Sequence, residues 1–260
     1  MKKFLKASLL SLAVLFSFNT VTRADGIDEY TKLMLHMDGS DASTTFTDSS
    51  LTPKTATAVG DAQIDTAQSV FGGASALFDG SGDALTFPDS ADWIIDGSYT
   101  VDFRVRFNAL PGSLAHLCGQ LAQDSTQYGW LIWYYSSNNT LNISYSTNGS
   151  SLSAYSVSWT PSTATNYHVA FVRNGTSVQF YVDGTAVGSS GTMSVTTYDS
   201  NNVFGIGNRT SGTAFPLNGW VDELRVSKGI ARWTTNFTPP TEAYSVVNPA
   251  SSRRSVIIIA

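Results

Sequence analysis

Between Ser98 and Phe107 apolar and polar residues alternate without a break. Tyr99, Val101, Phe103, Val105 and Phe107 share one parity; Thr100, Asp102, Arg104 and Arg106 share the other. A period of two sends one set to a core and the other towards water, as in a half-buried β-strand. Short stretches of the same kind recur at Trp130–Tyr135, Leu141–Tyr145, Tyr167–Arg173, Val178–Val182 and Trp220–Val226. Asn174-Gly175 lies between two of these, and Asp183-Gly184 follows the second. Both dipeptides tolerate the positive φ of tight hairpin turns. No stretch carries a sustained helical period with caps, and βα alternation is absent. The pattern predicts an all-β fold, a two-sheet antiparallel sandwich.

Residues 27–244 read as one domain, with Pro239-Pro240 ending the last segment expected to be structured, because neither proline donates to a sheet. The tail, residues 245–260, is polar as far as Arg253-Arg254 and then ends in Val256, Ile257, Ile258, Ile259 and Ala260. Five apolar residues are far too few to span a bilayer. The tail is expected either to fray or to dock as an edge strand or peptide on an assembly partner.

The first 24 residues change the picture of where this domain works. Lys2, Lys3 and Lys6 precede the apolar run Ala7–Phe18, and Ala24 offers a small residue before a cut. Residues 1–24 therefore read as a secretory signal, the run being short for a spanning helix. No membrane insertion is expected after its removal, and the mature chain is expected to be secreted or on the cell surface. Removal takes away Lys2, Lys3, Lys6 and Arg23 and no acid, so the formal charge of −5 becomes −9. An acidic chain without basic clusters is a poor partner for nucleic acid. The single cysteine, Cys118, has no internal disulfide partner and reads as a buried small hydrophobe.

Two constellations carry candidate chemistry. In Tyr128–Tyr135, Trp130 and Tyr134 lie on one parity and Trp133 and Tyr135 on the other. One pair belongs to the core. The other either packs at a sheet edge or presents rings for stacking on a sugar or packing on a protein. Trp130, Trp133, Tyr134 and Tyr135 are therefore the candidate ligand-binding residues. The second constellation is acidic. Read by unbroken parity, Asp222 shares the inward side of its strand with Trp220, Leu224 and Val226. An inward carboxylate needs hydrogen bonds or a cation. It either caps backbone amides or, with Asp38 and Asp48 from the first strand and its loop, supplies hard oxygen ligands for calcium. Asp79 and Asp83 read as turn formers, and Trp159 and Trp233 as satellite core residues.

Four segments in register give the chain a resemblance. They are LMLHMDGSDASTTFTDSS (33–50), FGGASALFDGSGDALTFPDS (71–90) with YTVDFRVRF (99–107) close behind, the hairpin YHVAFVRNGTSVQFYVDGTAVG (167–188), and NGWVDELRVSKGIARWTTNFTPP (218–240). In this order they resemble the LamG-like domains of the concanavalin A-like lectin and glucanase superfamily, over about residues 31–244. The resemblance implies a two-sheet jelly roll with one concave face. It also implies binding of glycans or proteins, and a structural calcium between an Asp of the first strand and an Asp of the last.

The function expected on this basis is a non-catalytic binding module for a glycan or a cell-surface polymer or protein. The alternatives are a display or adhesion component of a virion or cell-surface assembly and, less favoured, a glycoside hydrolase. The superfamily's retaining glucanases resemble one another in a Glu-x-Asp-x-Glu strand, which sets two carboxylates on one face. The comparable strand here reads Thr100-Val-Asp-Phe-Arg-Val-Arg106, with arginines where carboxylates would stand. His36, His116 and His168 are scattered, and no Gly-x-Ser-x-Gly elbow or phosphate loop occurs. Sequons begin at Asn138, Asn142, Asn148, Asn174, Asn208 and Asn236, as expected by composition alone.

Overall fold

The computed structural model describes residues 26–121, 126–209 and 215–247. Residues 1–24, read above as a secretory signal, and the tail beyond residue 247 lie outside the described residues.

Two antiparallel sheets pack face to face. The first has seven strands in the order Ser153–Ser158 (β11), Thr140–Gly149 (β10), Tyr128–Tyr135 (β9), Leu114–Leu121 (β8), Phe204–Ile206 (β15), Ala84–Phe87 (β6) and Thr57–Val59 (β3). The second has eight. Seven run in the order Thr185–Thr192 (β14), Ser177–Val182 (β13), Asn166–Asn174 (β12), Tyr99–Phe107 (β7), Asn218–Lys228 (β16), Ser75–Asp79 (β5) and Gln63–Asp65 (β4). The eighth, Thr31–Leu35 (β2), also pairs with β16. Non-sequential neighbours such as β7 and β16 bring distant segments together, the crossover that distinguishes a jelly roll from a meander. Asp183 (φ 48°) and Gly184 (φ 75°) both take the left-handed region and form the two-residue turn between β13 and β14.

The alternation in β7 does what it predicts for its apolar half. Val101, Phe103 and Val105 are buried between the sheets with Phe78, Trp93, Trp130 and Phe204. Trp93 stacks on Phe204 with ring centroids 4.5 Å apart. Cys118 is buried here too, and burial raises its thiol pKa. Trp159 belongs to this main core, while Trp233 sits in a smaller cluster, so the sequence reading holds for Trp233 and is corrected for Trp159.

The polar half of β7 corrects the sequence reading. Asp102 is not at a wet face: it is 0% exposed. The outer face of the eight-stranded sheet is roofed by residues 229–247, which run past Pro239-Pro240 and remain structured. Trp233 and Phe237 stack with centroids 4.1 Å apart over Ala170, Val172 and Tyr181. Tyr244 packs with Ile27 and Met34. Prolines are accepted in this roof because residues 239–240 are not part of a sheet ladder, so no N–H is required of them. The roof ends in Ser245–Val246 (β17), which pairs in parallel with Gly26–Ile27 (β1). Backbone pairing is thus seen at Gly26 and Val247, one and three residues outside 27–244.

Candidate functional site

On β9 the pleat divides the four candidate aromatics into two pairs. Trp130 and Tyr134 are fully buried in the inter-sheet core. Trp130 donates from Nε1 to the Trp93 carbonyl, and Tyr134 donates to Asn139 Oδ1 at 2.9 Å. They are removed from the list of ligand-binding residues, because no ligand reaches a ring enclosed on both faces. Trp133 and Tyr135 point the other way, half-buried on the outer face of the seven-stranded sheet, with centroids 5.7 Å apart and planes at 55°. On β10, Asn142 stands opposite Trp133 and Thr140 opposite Tyr135. Ser144 accepts the Trp133 indole N–H at 2.9 Å. On β8, His116 is opposite Trp133, buried, with Nε2 3.1 Å from the Gly205 carbonyl. Burial pulls its pKa down to about 3, so it is neutral in ordinary buffers. The outer face at Trp133 thus combines two half-buried ring systems with the partly exposed Thr140 hydroxyl, over the buried Asn142 and Ser144.

The acidic candidates separate. Asp48 is saturated by protein donors: Oδ1 accepts from Met34 N at 3.0 Å and Ser50 N at 2.9 Å, and Oδ2 from Ser50 Oγ at 3.0 Å and Lys54 N at 2.7 Å. These bonds fold the loop after β2 back onto it. Asp222 faces the outer side of its sheet, not the core side that unbroken parity gave. The reason is a bulge. Asp222 pairs with Arg104 and Arg225 with Asp102, so Glu223 and Leu224 together oppose one residue of β7, and Glu223 takes φ 48°. The extra residue resets the parity, which puts Val221 in the core before it and Leu224 and Val226 after it.

Asp222 Oδ2 accepts from Val70 N at 2.7 Å and Phe71 N at 3.2 Å, whereas Oδ1 is buried without a partner. Burial, with the neighbouring Glu223 charge adding to it, pushes its pKa up to about 7. Glu223 holds His36 Nδ1 at 2.6 Å and accepts from Tyr244 N at 3.1 Å. Asp38 is largely exposed close to that pair, and partial desolvation, with the Glu223 charge, raises its pKa. Among the described residues no three His, Cys, Asp or Glu side chains converge as a metal-holding group. Asp38, Asp48 and Asp222 do not fit a single calcium cage, since every acceptor direction of Asp48 is already filled. Asp222 instead caps backbone amides, as its other reading allowed. Asp79 and Asp83 are turn formers: Asp83 takes Asp61 N at 2.6 Å and Asp79 N at 2.9 Å, and Asp79 takes Ser81 N at 2.7 Å.

Residues 79–232, more than half of the chain, match the Laminin_G_3 family of the concanavalin A-like lectin/glucanases superfamily, and the chain belongs to that family. Three solved structures illustrate the likeness. Domain 4 of AbnA, a GH43 extracellular arabinanase from Geobacillus stearothermophilus, solved with arabinotriose, superposes with a TM-score of 0.57 at 21% identity, over 77% of this chain and 93% of that one. The botulinum neurotoxin serotype D ligand-binding domain, in complex with N-acetylneuraminic acid, gives 0.58 at 13% identity, over 79% and 49%. The serotype G binding domain gives 0.58 at 13%, over 77% and 48%. The chain spans about half the length of the toxin domains it matches. No curated protein sequence matches it.

Proposed function

We propose that the mature chain is a secreted or cell-surface, non-catalytic glycan-binding module that holds saccharide rings against Trp133 and Tyr135. The observation that carries this reading is the outward half of β9: two half-buried aromatic rings on the outer sheet face, with Thr140 beside them and Asn142 and Ser144 buried beneath. Sugar rings stack apolar faces on aromatic side chains, while hydroxyls bond to amides and hydroxyls beside them. Support also comes from the saccharides found in structures of the same fold, arabinotriose in one and N-acetylneuraminic acid in another. The absence of catalysis is favoured by Asp102, the acid in the strand comparable to the glucanase motif. It is sealed at 0% exposure against Arg225, out of reach of any substrate.

The test is a glycan array followed by calorimetric titration of the mature chain with its strongest hits, arabinotriose and N-acetylneuraminic acid included. Saturable binding that Trp133→Ala with Tyr135→Ala abolishes supports the reading. Undiminished binding in that double variant removes these residues from it.

A further inference from the structure

Residues 207–209 and 215–217 run beside β8, on the side away from β9. Gly207 N donates to the Leu117 carbonyl at 3.1 Å, and His116 N donates to the Phe215 carbonyl at 2.9 Å. His116 in turn stands opposite Trp133, and directly paired residues share a sheet face. Phe215 therefore lies two strand spacings from Trp133, about 10 Å across the sheet. Arg209 stands over the Phe215 ring, its guanidinium 4.6 Å from the centroid. Burial is the main cause of the low His116 pKa, and the Arg209 charge lowers it further. The guanidinium is thus within electrostatic reach of the strand position opposite Trp133.

Acids outnumber bases in this chain, 20 to 15, so carboxylates are not scarce. Arg225 and Arg232 hold Asp102 and Asp28, while Arg104 and Arg173 hold backbone carbonyls. Among the described residues the Arg209 guanidinium meets neither kind of partner, and its Nε is buried without one. The acidic side chain that acts on it is the Tyr128 phenol, not a carboxylate. Burial lowers the Arg209 pKa, so this half-buried charge is held against desolvation. Water can bond to a guanidinium but does not neutralise it. A carboxylate does both, and its two oxygens match two parallel N–H donors. With Nε enclosed, the edge formed by Nη1 and Nη2 is the one left to a ligand, and stacking on Phe215 orients it.

We propose that Arg209 makes this face selective for carboxylated saccharides. One sugar ring stacks on Trp133 and Tyr135, and the carboxylate of that unit or the adjoining one accepts end-on from Arg209. Trp133, Tyr135, Arg209 and Phe215 are each partly exposed, so the ligand lies across a surface and requires no cavity. The inference rests on the reading of Trp133 and Tyr135 as a saccharide platform and adds the class of sugar. The acidic balance of the chain sharpens the role of this one cation, because the rest of a negative surface repels an anionic glycan.

The experiment titrates the mature chain with two matched pairs, trigalacturonate against its methyl ester and sialyllactose against lactose. In at least one pair the acid is expected to bind at least about tenfold more tightly than its neutral partner. Arg209→Gln should bring the two within about twofold of each other, with the melting temperature unchanged. Arg209→Lys, which keeps the charge and loses the fork, should retain part of the preference. Equal binding of acid and neutral sugar by the wild type overturns the proposal and leaves the saccharide platform standing. A preference that survives Arg209→Gln also overturns it. Sodium acetate alone binding as tightly as the acidic sugars, and losing that binding in Arg209→Gln, would assign Arg209 to anions in general and overturn it too. No saturable binding of any of the four saccharides sinks the platform itself, a result distinct from binding without preference.

Discussion

Arg225 on β16 and Asp102 on β7 stand opposite each other in register and meet through two hydrogen bonds, Nε to Oδ1 at 3.0 Å and Nη2 to Oδ2 at 3.4 Å. Tyr244 from the roof donates to the same carboxylate, and Arg225 Nη1 reaches the Gly26 carbonyl at 3.1 Å. His168 Nε2 is 3.6 Å from Asp102 Oδ2, too long for a hydrogen bond, and burial lowers its pKa so that it sits neutral. Burial alone would push the Asp102 carboxyl up, but the Arg225 charge and these polar neighbours outweigh it and hold it at about 2.

Breaking this pair from one side leaves a buried charge. Asp102→Ala is therefore expected to destabilise the domain by about 3–5 kcal/mol in denaturant unfolding. Pairing Asp102→Leu with Arg225→Met should cost clearly less than the sum of the two single changes. Additive losses would show that the two side chains are not coupled. Because the folded pKa lies below the unfolded value, the contribution of Asp102 is present above about pH 4 and fades as pH falls towards 2.

Asp222 and His36 give the opposite slope. Both pKa values are raised in the fold, Asp222 by burial to about 7 and His36 by its bond to Glu223. Groups with raised values contribute stability that is complete below their unfolded pKa and lost as pH rises through the folded one. The domain should therefore lose stability from about pH 4 to pH 7 through Asp222, and further above about pH 6.5 through His36. Asp222→Asn should remove the first part of that slope, which at its steepest approaches about 1.4 kcal/mol per pH unit. Melting temperatures across this range are the measurement, and an unchanged profile in the variant would put the slope elsewhere.

The inward and outward halves of β9 should respond oppositely to truncation. Trp130→Ala removes a fully enclosed ring and is expected to cost about 3–5 kcal/mol. Trp133→Ala and Tyr135→Ala should each cost far less while abolishing sugar binding. A large stability loss from all four changes would assign every ring to packing.

On β7, Phe103→Ala should likewise cost about 3–5 kcal/mol, since Phe103 sits between the sheets. A loss below about 1 kcal/mol would contradict the register.

Strand alternation made the sandwich, the inward half of β7 and the division of the β9 aromatics into two opposed pairs readable from residues alone, because each rests on a period of two; which pair faces outward was not. Three features were not readable. The Glu223 bulge shifts parity inside β16, and no composition cue marks it, so Asp222 was assigned to the wrong face. The roof of residues 229–247 is irregular, and its burial of Asp102 follows from long-range contacts. A lone Asp and a lone Arg on the polar parities of two strands were the only hint of their pairing. Asp48 looked like a metal ligand because a saturated loop carboxylate and a coordinating one have the same sequence.

The parallel pairing of β1 with β17 has a mechanical consequence. A pull that drags Gly26 backward and Val246 forward loads the short ladder in shear rather than peeling it bond by bond. The same displacement strains Arg225 against the Gly26 carbonyl and Tyr244 against Asp102. Traction on either end of the domain is thus resisted first at the sealed ion pair, and the two sheets are loaded only after that lock gives way.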